Sequence, residues 1–190
     1  MIITLVNDTF NINNNGTTIS SMRFAEALMQ RGHQIRVVTC GDPSNSGVDP
    51  DTGFEMFYLP ELKIPVATAL AHKQHTLFAK PVTEVLEKAI SGSDVVHIYQ
   101  PWWLGSKAQK IAESLNIPVM AAFHIQPENI TYNIGLKHFP PAAHLIYYLL
   151  DFLFYKKFSH IHLLHCYENN KKELPWKPIF LYSSLYRRLR

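Results

Sequence analysis

The chain is poor in the residues that hold a small fold together by cross-linking. Its two cysteines, Cys40 and Cys166, cannot build a disulfide framework, and so low a count suits a reducing compartment. Its glycines are few and scattered. They form no Gly-x-Gly-x-x-Gly fingerprint, no Gly-Lys-Ser/Thr phosphate loop and no Gly-x-Ser-x-Gly elbow, which argues against a dinucleotide oxidoreductase, a P-loop nucleotidase and a serine hydrolase. Charge is also scarce, at 17% of residues with a net +3, while aromatics reach 12%, so general disorder is excluded. No long hydrophobic run is present either. The longest, Ala142 to Tyr155, contains Asp151 and falls short of the roughly 20 residues that cross a bilayer. Met1 to Asp8 lacks a basic leader and reaches polar residues after six positions, so a cytoplasmic chain without a signal peptide is expected. The ten histidines include His72/His75 and His160/His162/His165, but neither spacing fixes a metal-ligand set, and no Glu-x-x-His or His-Glu-x-x-His pattern occurs.

What is present is enough apolar sequence for one well-buried domain. Of the 190 residues 47% are hydrophobic, and a domain of that length buries roughly 70% of its unfolded surface. Short β-branched runs alternate with helical patterns, the signature of βαβ units and a parallel sheet. Ile2 to Val6 reads as a strand covered on both faces. A helix follows, capped by Thr17 or Thr18, with Ile19, Met22, Ala25, Leu28 and Met29 on one face and Gly32 as its stop. Gln34 to Cys40 is the second strand, and Phe54 to Leu59 an edge strand or hairpin. Val82 to Ile90, Asp94 to Tyr99, Ser106 to Leu115 and Pro118 to Phe123 continue as helix, strand, helix and strand. A polar and aromatic loop spans 125 to 140, a helix runs from Pro140 to about Phe158, and Ile161 to Leu164 offers one more strand. From Lys156 onward eight basic residues face two acidic ones, a net +6, whereas residues 1 to 155 carry a net −3. Such a tail suits an anionic membrane surface or nucleic acid, or is simply a solvated end.

Ligands bind at the carboxyl ends of parallel strands, here Asn7 to Gly16, Cys40 to Gly41, Gln100 to Trp103 and His124 to Asn129. A glycine opening a helix lets a phosphate or carboxylate approach backbone amides, although asparagines and a glycine also make ordinary turns. His124, at the end of its strand, is placed to hydrogen-bond a ligand or move a proton, and Glu128 to hold a hydroxyl or act as a base. Trp102 and Trp103 offer flat faces for sugars or acyl chains, with core packing their commoner fate.

Several segments carry a family resemblance: Met22-Arg-Phe-Ala-Glu-Ala-Leu-Met-Gln-Arg-Gly-His33 leading into Ile35-Arg-Val-Val-Thr39, then Ser93-Asp-Val-Val-His-Ile-Tyr-Gln-Pro101, then Leu115-Asn-Ile-Pro-Val and the strand ending at His124. Over about residues 1 to 162 the chain resembles the N-terminal domain of family 4 retaining glycosyltransferases, and Ala122 to Gly135 looks like the branch that glycosylates diacylglycerol or related lipids. The resemblance implies an α/β fold, a Rossmann-like parallel sheet with helices on both faces forming the acceptor-side half of a GT-B enzyme. It implies a hexose moved with retention from a nucleotide-sugar, UDP-glucose or similar, to a lipid-like hydroxyl such as that of diacylglycerol, without metal or resident cofactor. Helix ends and basic side chains would stabilise the leaving diphosphate.

By the same resemblance Gly16 and Thr17 meet the donor diphosphate and His124 contacts the transferred sugar. Asn15, Gln100, Trp102, Gln126, Glu128 and Asn129 face the acceptor. The expected partners are donor, lipid and the inner membrane surface, without nucleic acid, plus a C-terminal domain in cis or in trans. Residues 163 to 190, ending Tyr186-Arg-Arg-Leu-Arg, depart from the family pattern and read as a truncated or frame-shifted tail. Alone, the chain is expected to be weakly active or inactive; the alternative is a non-catalytic lipid- or membrane-binding remnant.

Overall fold

A computed structural model of the chain describes residues 1–10, 16–65, 68, 69, 72, 75–100, 102–123, 145, 148 and 161–163. Its strands are β1 (Ile2–Val6), β2 (Gln34–Cys40), β3 (Gly47–Val48), β4 (Glu55–Leu59), β5 (Val95–Ile98), β6 (Val119–Phe123) and β7 (Ile161–Leu163). The helices are α1 (Gly16–Gln30) between β1 and β2, α2 (Thr83–Ile90) before β5, and α3 (Trp103–Ser114) between β5 and β6. They form one sheet in the order β3-β4-β2-β1-β5-β6-β7, parallel throughout except that β3 runs antiparallel to β4. Leaving out the two-residue β3, this is the doubly wound strand order, with its topological switch between β1 and β5. The expected α/β, Rossmann-like sheet is therefore the observed one.

Alternation along the strands sorts the core into two layers. Ile3, Leu5, Ile35, Val37, Met56 and Tyr99 pack with Ala25 and Leu28 of α1 on one face. Val6, Val38, Leu59, Val96 and Ile98 pack with Leu86, Ala89 and Ile90 of α2 and Leu104, Ala108 and Ile111 of α3 on the other. Arg36 bridges sheet and helix. Its Nε pairs with Glu55 on the neighbouring strand at 3.0 Å, and its guanidinium donates to the carbonyls of Ala89 (3.1 Å) and Ser91 (2.7 Å) at the end of α2. A cation at that end satisfies carbonyls that have no partner within the helix and complements the helix dipole.

Three expectations are corrected. Helix α1 begins at Gly16, so Thr17 and Thr18 lie inside its first turn rather than capping it, and the Thr18 hydroxyl instead donates to the Thr9 carbonyl at 2.9 Å. Its buried stripe is Thr18, Ser21, Ala25 and Leu28, with Ile19 and Met22 only half-buried, because the polar β1 loop docks on its first turn. Of the two readings of Phe54 to Leu59 the hairpin holds: β4 pairs antiparallel with the two-residue β3, which forms that edge of the sheet, and parallel with β2 on its other side. Helix α3 starts at Trp103, three residues before the expected Ser106, since Gly105 lets the first turn lie against the Gln100 carbonyl. The expected stop of α1 holds. Gly32 sits at φ +82, its N–H bonds to Met29 O and the N–H of His33 to Leu28 O, a Schellman closure. The helix expected from Pro140 to Phe158 and the tail from 163 lie largely outside the described residues. Among the described residues no helix is long and apolar enough to cross a membrane.

Candidate functional site

The loop after β1 is at the centre of the carboxyl edge, and its described residues, Asn7 to Phe10, turn their side chains inward. Asn7, Asp8, Thr9 and Phe10 are all nearly inaccessible. Asn7 Nδ2 donates to Ser21 Oγ (2.8 Å), whose hydroxyl donates in turn to Thr18 O (2.9 Å), pinning the loop to α1. Thr9 Oγ1 accepts the Leu77 N–H (2.9 Å) and Asp8 Oδ1 the Ala79 N–H (2.8 Å), so the segment before α2 is tied to the same loop. Across the switch point the Asp8 N–H donates to Gln100 Oε1 at 3.1 Å. The crevice between β1 and β5 is therefore floored by a rigid polar lattice.

Asp8 is the unusual member. Its second carboxylate oxygen, Oδ2, is buried without a hydrogen-bond partner in the protein. Burial pushes its pKa from 3.8 up to about 7, against the smaller opposing pull of the Ala79 N–H. Sequence reasoning placed Asp8 in this loop without singling it out. The available signal was a carboxylate two residues after a nearly continuous apolar, doubly covered strand, where a charge is costly. Nearby Cys40 is a free thiol whose Sγ donates to Phe78 O at 3.9 Å. Burial, then the negative charges of Glu61 and Asp8, push its pKa to about 11. Native Cys40 is therefore expected to alkylate with iodoacetamide about 100-fold more slowly than an ordinary thiol near pH 8. Site-resolved mass spectrometry, with Cys166 quantified separately, measures this, and native Cys40 labelling as fast as in urea would contradict it.

Of the sequence-predicted residues, Gly16 and Thr17 open α1 at this edge. Gly16 is exposed and Thr17 half-buried. A Cβ added at Gly16 would meet nothing within 4 Å, so the space before that backbone is open. The first turn of a helix presents amides with no partner inside the helix and a positive dipole end. Gln100 sits at the end of β5 with its side-chain oxygen engaged by Asp8, which makes it a brace across the switch point. Trp102 immediately precedes α3 and is half-buried, while Trp103 is 49% exposed. Core packing, the commoner fate of such a pair, is thus not the fate of Trp103. The inner face of α3 is filled by Leu104, Gly105 and Ala108, and the Trp103 indole stands edge-on to Phe78 with centroids 5.4 Å apart. The structure brings Gly16, Thr17, Gln100 and Trp102 to one edge of the sheet. Asn15, His124, Gln126, Glu128 and Asn129 lie outside the described residues.

Doubly wound order, open space before the backbone of the first helix and polar residues gathered at the switch point define an α/β domain of the kind that takes ligands at the carboxyl edge of its sheet. The Glycosyltransferase Family 4 model matches residues 14–169. The chain belongs to that family, and its sheet is the Rossmann-like N-terminal domain of the GT-B architecture. A GDP-mannose-dependent alpha-mannosyltransferase of Corynebacterium glutamicum is 29% identical over 124 residues, 65% of this chain and 29% of that protein. Among solved structures, sucrose-phosphate synthase from Thermosynechococcus elongatus superposes with a TM-score of 0.50 at 13% identity, over 88% of this chain and 48% of that one. A glycosyltransferase from Rickettsia africae aligns at a TM-score of 0.44 and 16% identity, over 86% of this chain and 42% of that one. The chain thus spans under a third of the curated relative and less than half of either structural one.

Proposed function

We propose that this domain forms the acceptor-facing half of a glycosyltransferase that moves a hexose, with retention, from a nucleotide-sugar such as UDP-glucose to a lipid-like hydroxyl such as that of diacylglycerol. The observation that carries the reading is the open backbone at Gly16, at the start of α1 and beside the β1–β5 switch point. Gly16 and Thr17 offer N–H groups to the donor diphosphate, where the helix dipole stabilises the charge that grows as the glycosidic bond breaks. His124 contacts the transferred sugar. Asn15, Gln100, Trp102, Gln126, Glu128 and Asn129 shape the acceptor side, with Gln100 held in place by Asp8. The remaining diphosphate-binding groups come from a second domain, in cis or in trans, and no metal or resident cofactor is needed. The reaction takes place at the inner face of a membrane.

Gly16→Val tests the site without testing the fold. No positive φ is required at Gly16 and no neighbour is crowded, so the thermal midpoint is expected to stay within about 2 °C, since surface changes rarely exceed ~0.5 kcal/mol. The branched side chain fills the space the diphosphate needs, and UDP-glucose contact, read by ligand-observed NMR, is expected to weaken at least about tenfold. Equal UDP-glucose signals from wild type and Gly16→Val would remove the donor site from this helix. A transfer assay with UDP-glucose and diacylglycerol micelles is expected to give little product from the 190 residues alone; robust turnover would show that no second domain is required.

A further inference from the structure

Away from the crevice, a second concave surface lies on the outer side of α3. A groove of about 470 Å³ is lined by Pro81, Trp102, Trp103, Ser106, Lys107 and Lys110. That volume falls within the range of small-ligand clefts, but the groove is built unlike a sugar site. Its walls are two indoles and a proline, and its cations stand on one stripe. Trp103, Lys107 and Lys110 follow at i, i+4 and i+7, which places them on one face of α3. The opposite face, Leu104, Ala108, Ile111 and Ala112, is spent on the core. Trp103 keeps 49% of its surface exposed, and Lys110 is exposed as well. The only acid on α3, Glu113, accepts from Gln109 Nε2 at 2.8 Å and does not line the groove. The far wall is fixed in place, because Ala79 is bonded to Asp8 and the Lys80 N–H to Pro60 O (2.8 Å), just before Pro81.

We infer that the Trp103–Lys107–Lys110 face of α3 docks on a bilayer surface bearing anionic lipids, with the lysines on headgroup phosphates and the indoles at the headgroup–acyl boundary. Indoles are stable where one side is apolar and the other wet, and lysine stems lie along apolar surface while their ammonium groups reach phosphate. A small soluble anion would satisfy the lysines and leave the half-exposed indole without a role. A bilayer uses both. The inference rests on the lipid-acceptor reading only for the reason a bilayer is nearby.

The test is co-sedimentation of the full 190-residue chain with vesicles of phosphatidylcholine alone or with about 30 mol% phosphatidylglycerol, a content that gives a negative surface potential. The expected result is binding to the anionic vesicles only. Lys107→Gln/Lys110→Gln is expected to lower that partition by roughly 25-fold, about fivefold for each lysine. Trp103→Ala is expected to lower it at least about tenfold, and acyl-brominated lipid is expected to quench tryptophan emission in wild type more strongly than in Trp103→Phe. Both lysines are surface residues, so the double variant retains its fold, checked by an unchanged thermal midpoint. Unchanged partition of the double variant, or no association of the wild-type chain with the anionic vesicles, overturns the inference. No sugar donor is used, so loss of transfer chemistry in the separate UDP-glucose assay leaves this result standing, and the reverse also holds.

Discussion

Asp8→Asn is expected to make the domain more stable at pH 8 and to flatten its stability profile between pH 4 and 7. The native carboxyl titrates at about 7 and the unfolded one near 3.8. Between those values the folded chain holds a proton that the unfolded chain has released, so stability falls as pH rises, by about 1.4 kcal/mol per unit. The contribution is intact below about pH 4 and fully lost above about pH 7, a total of roughly 4 kcal/mol. Asparagine keeps the carbonyl that accepts from Ala79 and removes the charge, while its amide group meets the space where Oδ2 had no partner. Leaving that amide unsatisfied costs about 1–3 kcal/mol, so the net gain at pH 8 is about 1–3 kcal/mol. Denaturant titrations of wild type and Asp8→Asn at pH 4.5, 6 and 7.5 measure it. Two parallel profiles would show that the Asp8 carboxyl is ionised at little cost in the folded chain.

That a domain should keep such a carboxylate is itself informative. Its N–H reaches Gln100, its Oδ1 reaches Ala79, and its backbone carbonyl accepts the Cys40 N–H at 3.2 Å, so one residue joins the ends of β1, β2 and β5 to the segment before α2. A serine or asparagine could make part of this lattice at neutral pH with less strain on stability. The orphaned oxygen is a feature that packing alone does not explain.

The fold was legible because its strands are covered on both faces. Nearly continuous apolar runs such as Ile2–Val6 and Val95–Ile98, each interrupted by one polar residue and separated by amphipathic helices, leave few arrangements other than a parallel sheet. The start of α1 was less legible. Thr18 and Ser21 are buried through bonds to a polar loop, so a search for apolar periodicity moved the inner face toward Ile19 and Met22. Trp103 misled for the opposite reason, since size and hydrophobicity predict burial but not which face of a helix a small-residue contact occupies. Asp8 was invisible to motif reasoning because its importance lies in what encloses it, and sequence order does not carry that enclosure. The Gly16 assignment came from the family resemblance, since a glycine opening a helix fits an ordinary turn equally well, and the open space before it is what the sequence could not supply.

The same substitution at two glycines is expected to give opposite results, and the difference isolates the packing of α3 on β5. At Gly16 a methyl group enters open space. At Gly105 it would collide with the carbonyl oxygen of Gln100, and it would lie 2.7 Å from Ile98 Cγ2 and 3.1 Å from the Gln100 carbonyl carbon. The first of these is a backbone wall that cannot turn aside. Gln100 is braced by Asp8, and the preceding residue by the Tyr99 N–H to Val6 O bond at 2.9 Å. Gly105→Ala must therefore push the first turn of α3 off the sheet, at about 2–3 kcal/mol, the upper part of the usual range for overpacking. For a chain of this size that corresponds to a fall in Tm of roughly 4–12 °C, against a change of about 2 °C or less for Gly16→Ala. Because Trp102 and Trp103 ride on that turn, the displacement also disturbs the α3 groove, so Gly105→Ala is expected to weaken vesicle partition even at temperatures where it is fully folded. Calorimetry on the two alanine variants decides the matter, and a Gly105→Ala midpoint equal to wild type would mean that the helix and β5 are not in the close contact on which the geometry of this edge depends.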